Sequence, residues 1–158
     1  MSDSGPIPEG MSGVIPHLVC DGASDALDFY TKAFDAVDQG RTPGPDGRLM
    51  HAAMTIDGSW MFLADDMPEM NDGKSSAPSL VGTTTVAIHR YVTDVDAAVD
   101  KAVAAGATVR MPAADMFWGD RYAVVVDPWG HEWSLASHQR DVSPEEMAAA
   151  MEAMVREG

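Results

Sequence analysis

Apolar and polar residues along this chain fall mostly into short blocks with the two-residue period of strands, interrupted by two stretches that carry helical spacing and followed by a third. Val14 to Cys20 reads as a strand with Pro16 near its start, where a missing donor is tolerated. Asp21 to Ser24 turns the chain, and Ser24 or Asp25 is expected to cap a helix from Asp25 to Phe34. Its Ala26, Phe29, Tyr30 and Ala33 recur at spacings of three and four. A Pro/Gly loop, Arg41 to Arg48, leads into strand Leu49 to Ile56, the turn Asp57-Gly58 and strand Ser59 to Ala64. Asp65 to Ser79 has almost no β-branched or aromatic residues and reads as a linker or mobile loop.

The pattern then starts again. Val86 to Val92 is a strand, and Asp94 or Asp96 opens a helix that runs through Ala97 to Ala105 and ends at Gly106. Thr108 to Met111 is short and extended. Tyr122 to Val126 and His131 to Ala136 flank the turn Asp127-Pro128-Trp129-Gly130, making an aromatic-rich hairpin. The two halves superpose at a constant offset: Ile15 falls on Ala87, His17 on His89, Gly58 on Gly130, Leu63 on Leu135 and Ala64 on Ala136, each 72 positions later. The chain therefore reads as an internal duplication, an α+β fold of tandem βαβββ modules. One such module leaves a sheet face uncovered, so two are expected to form a curved mixed sheet around a cleft. Ser143-Pro144-Glu145-Glu146 then starts a C-terminal helix with an apolar stripe of Met147, Ala150, Met151 and Met154. The expected division is a flexible tail (1–12), first module (13–71), linker (72–82), second module (83–140) and C-terminal helix (141–158).

Composition narrows the function classes. Twenty-five acidic against ten basic side chains give a net charge of −15, which repels nucleic acid and anionic membranes. No apolar run approaches the roughly 20 residues a membrane span needs, and the first dozen residues lack the basic-then-apolar order of a signal peptide. The expected compartment is the cytoplasm. The single cysteine, Cys20, lies within an apolar strand and reads as a small core residue.

The strings DGASDALDFYTKAF, VTDVDAAVDKAVAAGA and MFWGDRY followed by VVDPWGHEWSLASH resemble the vicinal oxygen chelate superfamily. That group includes glyoxalase I, bleomycin-resistance proteins and extradiol dioxygenases, and the likeness is greatest to its PhnB-like branch. It covers roughly Val14 to Glu146. Some members of the branch are named as demethylubiquinone methyltransferases, but no glycine-rich methyl-donor loop is visible here. The resemblance implies four metal-ligand positions, which carry over to Ile15, Phe62, Ala87 and Ser134. Three of those side chains have no donor atom, so the usual metal site is expected to be absent and no cofactor is favoured. A displaced divalent-metal site would draw on His17, His89 and Glu132, which share faces with the carried-over positions, and on His51.

His51 is the best catalytic candidate, as a general base or a ligand-orienting donor, because an unperturbed imidazole titrates near working pH. The ligand-binding candidates are His17, His51, Phe62, His89, Trp118, Tyr122, Trp133 and Ser134, with the aromatics offering stacking surfaces for a planar or cationic group. Asp120 and Arg121 are expected to pair with each other and fix their loop. His131 and His138 are set outside the site.

Three readings follow. The first is a small-molecule-binding protein of the bleomycin-resistance type, whose cleft sequesters an aromatic or cationic molecule. The second is a metal-dependent lyase or isomerase of the glyoxalase type using the displaced histidines. The third is a regulatory or scaffold dimer. Whether the chain is an enzyme stays open, and the C-terminal stripe makes a homodimer the expected assembly.

Overall fold

A computed structural model describes residues 5–157. The expected tail, residues 1–12, and the last residue of the expected C-terminal helix fall partly outside them. The chain divides into two compact units, with the boundary after Thr83.

The first unit runs β1 (His17–Cys20), α1 (Ala23–Phe34), β2 (Val37–Pro43), β3 (Leu49–Ile56) and β4 (Ser59–Asp65), then a 3-10 turn (Pro68–Met70) and a short α2 (Pro78–Val81). Its sheet has the order β1-β4-β3-β2, with β1 parallel to β4 and the other pairs antiparallel. Strand alternation sends Leu18, Cys20, Ala52, Met54, Ile56, Met61 and Leu63 to the face under α1, where all are buried. The helix answers with Ala23, Ala26, Leu27, Tyr30 and Phe34, also buried. Asp57 and Gly58 both take positive φ (50° and 79°), the geometry of a two-residue hairpin turn, and bring Ile56 opposite Ser59.

Three local expectations are corrected. Helix α1 begins at Ala23, and neither Ser24 nor Asp25 caps it. Its N-cap is Gly22 in the left-handed region, and the carboxylate of Asp65, at the end of β4, accepts the N–H groups of Gly22 (2.9 Å) and Ala23 (2.8 Å). The other Asp65 oxygen accepts Leu49 N–H at 2.6 Å, so one side chain ties β4, β3 and the helix start together. Residues 41–43, expected in the loop, belong to strand β2, whose polar, glycine- and proline-bearing sequence hides its edge position. The 65–79 segment is not a bare linker: buried Asp66 accepts Ser76 and Ala77 N–H, and Asn71 donates to Lys74 O and Ser76 Oγ.

The second unit repeats the plan with β5 (Ala87–Tyr91), α3 (Val95–Ala105), β6 (Thr108–Asp115), β7 (Asp120–Val126) and β8 (Glu132–His138), in the order β5-β8-β7-β6. Asp94 caps α3 by accepting Ala97 N–H at 3.0 Å. Val95, Val99 and Ala102 face the buried Ala123, Val125, Trp133 and Leu135 of the sheet. The last helix, α4 (Pro144–Glu157), opens with a capping box: Ser143 Oγ accepts Glu146 N–H, and the Glu146 carboxylate accepts Ser143 N–H.

Candidate functional site

In each unit the sheet face turned away from the helix carries most of the residues singled out in the sequence, Trp133 being an exception. In the first unit β1 runs beside β4 with His17 directly opposite Phe62, while β3 places His51 opposite Thr42 of β2. Antiparallel pairing of β3 with β4 sets Ala53 against Phe62, so His51 lies diagonal to it. The three rings meet: His51 and Phe62 are 4.7 Å apart edge-to-face, His17 and His51 6.3 Å, His17 and Phe62 6.2 Å. Partial desolvation, and then the charge of His51, lowers the His17 pKa below that of a free imidazole.

The second unit builds a different surface from equivalent positions. His89 lies directly opposite Ser134, and its Nδ1 is 2.7 Å from Ser134 Oγ. Tyr122 stacks on His89 at 6.3 Å with an 18° interplanar angle, and Tyr91 meets it edge-on at 4.8 Å. Trp118 packs against Tyr122 at 5.5 Å. Trp118, Tyr122, His89 and Tyr91 therefore form one continuous aromatic row. Tyr91 is missing from the sequence-based set, although it lies two residues past His89 on the same face.

Asp120 anchors one end of this row. It is 5% exposed and accepts Tyr91 O–H (3.1 Å) on one oxygen and His138 Nδ1–H (2.8 Å) on the other. Burial raises its pKa, but hydrogen bonds from His138 and Tyr91, the charge of His138 and a bond from Trp118 outweigh that and hold the carboxyl below its ordinary value. The same contact with Asp120 pushes the Tyr91 phenol upward. The expected Asp120–Arg121 pair does not form. Adjacent strand residues point to opposite faces, so Arg121 reaches Asp96 (2.6 Å) and Asp115 (3.0 Å) instead.

Alternation also removes Trp133 from the ligand-binding set. Trp133 and Ser134 are neighbours on β8 and cannot share a face. Trp133 is on the helix side, 1% exposed, with Nε1–H donating to Asp127 Oδ2 at 2.9 Å. The same carboxylate accepts Trp129 and His131 N–H, which makes Asp127 the pin of the hairpin turn. His131 is buried.

The donor set does not match the metal chemistry that the resemblance implies. The carry-over names Ile15, Phe62, Ala87 and Ser134 as the ligand positions. The register puts His17 beside Phe62 and His89 beside Ser134, with Ala87 opposite Glu132 and Ile15 ahead of β1. Each pair thus holds one imidazole. Its neighbour is a phenyl ring in one unit and, in the other, a hydroxyl already bonded to that imidazole. Glu132 forms an ion pair with Arg110 at 2.9 Å. Among the described residues no three His, Cys, Asp or Glu side chains are grouped to hold an ion. These side chains do not fit a glyoxalase-type centre.

Comparison with known proteins agrees with the fold. The chain is 56% identical over 136 residues to the uncharacterized protein Mb0911c of Mycobacterium bovis, covering 86% of this chain and 90% of that one. Among solved structures it is similar to TioX from Micromonospora sp. ML1, at 26% identity and a TM-score of 0.62, covering 80% of this chain and 98% of TioX. The PhnB protein from Bacillus cereus shares the fold at 17% identity and a TM-score of 0.61, over 80% of this chain and 99% of that one. Among the described residues no helix is long and apolar enough to cross a membrane. The profile of the Glyoxalase/Bleomycin resistance protein/Dioxygenase superfamily matches residues 14–135, well over half the sequence, and the chain belongs to that superfamily.

Proposed function

We propose that this protein binds small planar molecules on the open sheet face of a unit, the first carrying His17, His51 and Phe62 and the second the row Trp118, Tyr122, His89 and Tyr91, without the metal-centred chemistry of the glyoxalases. The observation that carries this reading is the pairing of each strand histidine. His17 faces a phenyl ring, and His89 is bonded to a hydroxyl, at positions where a Lewis-acid site needs carboxylate or imidazole donors. What replaces the ligands is aromatic surface, which favours stacking and shape recognition over polarisation of substrate oxygens. The exposed side of α4, with Met151 56% and Val155 82% exposed, supports a homodimer as the working assembly.

A thermal-shift screen of planar aromatic compounds tests the binding reading, since a ligand specific for the folded state must raise the melting temperature. The expected result is a concentration-dependent rise that His89→Ala or Tyr122→Ala abolishes. A panel in which no planar compound shifts the wild-type protein counts against it.

A further inference from the structure

The open face of the first unit has an unusual polar inventory. The residues that strand alternation places there are His17 and Val19 on β1, Trp60, Phe62 and Ala64 on β4, Leu49, His51, Ala53 and Thr55 on β3, and Thr42 on β2. Apart from the two imidazoles, that surface carries the hydroxyls of Thr42 and Thr55, the latter accepting from Gln39 Nε2 at 3.1 Å, and the indole N–H of Trp60; the rest is apolar. Among the described residues neither imidazole has a hydrogen-bond partner, and their ring contacts are with each other and with Phe62. Six carboxylates of the unit are engaged elsewhere. Asp28 and Asp38 bind Arg41, Asp46 and Glu69 bind Arg48, Asp65 holds the start of α1, and buried Asp66 holds Ser76 and Ala77 N–H. Arg41 and Arg48 are engaged in return, so they do not compete for an incoming anion.

Two unpartnered imidazoles side by side repel each other once protonated, and they are relieved by a negative group that accepts from both. Phe62 supplies an apolar ring edge beside them. We infer that the first unit's face takes the acid group of a planar aromatic acid, a carboxylate received by His17 and His51 with its ring packed against Phe62. This rests on the binding reading above and names the charge class of the ligand. The anionic assignment replaces the cationic one, because the face presents donors and no carboxylate. Binding then takes up protons: the carboxylate stabilises the imidazolium forms, so affinity rises as pH falls through the histidine range.

The test uses benzoate, benzamide, benzyltrimethylammonium and inorganic phosphate as probes on the full chain, followed through the histidine ring resonances by NMR. Benzoate is expected to shift the His17 and His51 signals, raise their titration midpoints and bind about tenfold more tightly than benzamide at about pH 6. Its affinity is expected to weaken by about tenfold toward pH 8. His17→Gln and His51→Gln, each checked for an unchanged melting temperature, are expected to lose the pH dependence. If benzamide or the ammonium probe perturbs the same rings as strongly as benzoate, the anionic assignment falls while the binding reading stands. Phosphate acting as well as benzoate overturns the aromatic part of the assignment. If none of the probes perturbs either ring the inference fails, and the binding reading is then judged by the second unit's response in the thermal-shift screen.

Discussion

His138 and Asp120 are joined through Nδ1 and Oδ1 at 2.8 Å, and the far nitrogen of the same ring meets Asp141 at 2.9 Å. A carboxylate only accepts, so both ring nitrogens donate, and an imidazole with two N–H groups is the cation. The bonds from Asp120 and Asp141 accordingly raise the His138 pKa above 6.5. The linkage has a definite sign. Because the folded pKa is raised, the contribution of His138 is complete below the unfolded value and is lost as pH rises through the folded one. Asp120, with its pKa lowered from 3.8, contributes above that value and loses it as pH falls through the folded one. NMR titration of His138 is expected to give a midpoint above 6.5, and Asp120→Asn to bring it back toward the ordinary value. An unchanged midpoint in the variant contradicts the pairing.

Asp65 is expected to matter far more to stability than the acidic residue in the first turn of the helix it starts. Its carboxylate accepts three backbone N–H groups, from Gly22, Ala23 and Leu49. Asp65→Ala leaves those donors unpaired and is expected to cost about 2–4 kcal/mol in denaturant unfolding. Asp25→Ala in the first turn of α1 loses only a helix-dipole contribution of about 0.3–1 kcal/mol.

Two glycines with positive φ separate backbone strain from collision. Gly58 (φ +79°) has open space where a methyl group would stand, so Gly58→Ala is expected to cost about 1–2 kcal/mol for the left-handed backbone alone. At Gly119 (φ +99°) the methyl would sit 2.1 Å from the Arg140 carbonyl oxygen and 3.0 Å from Val142 Cγ2. The chain is locked there, since Gln139 and Arg140 N–H both donate to Gly119 O. Gly119→Ala is expected to cost about 3 kcal/mol or more, measured by the same unfolding experiment.

Trp133 and Tyr122 are expected to divide stability from binding. Trp133→Ala removes a fully buried ring and its bond to Asp127, with an expected loss of about 3–5 kcal/mol. Tyr122→Ala, on the open face beside His89, is expected to lose ligand-induced thermal shift with a smaller stability cost. Equal effects of the two substitutions on ligand response contradict the assignment of faces.

The duplication is legible in the sequence because the 72-residue offset preserves the strand histidines and hairpin glycines, and the structure repeats the sheet order in both units. The grouping of His17, His51 and Phe62 is legible too, through alternation along β1, β3 and β4. Trp133 shows the limit of aromatic character as a guide, since the two-residue period puts it on the opposite face from Ser134. The roles of Asp65 and Asp120 rest on partners 42 and 29 residues away, Ala23 and Tyr91, and no local pattern announces such bonds. Strand β2 is hidden because an edge strand rich in polar residues, Gly and Pro looks like a loop.

The central claim, an imidazole and aromatic surface in place of a metal centre, is tested most directly by the metal content of protein purified without chelator. Well under one equivalent of nickel, zinc, manganese or iron per chain, unchanged in His17→Ala and His89→Ala, is the predicted result. A full equivalent that disappears on either substitution would contradict it.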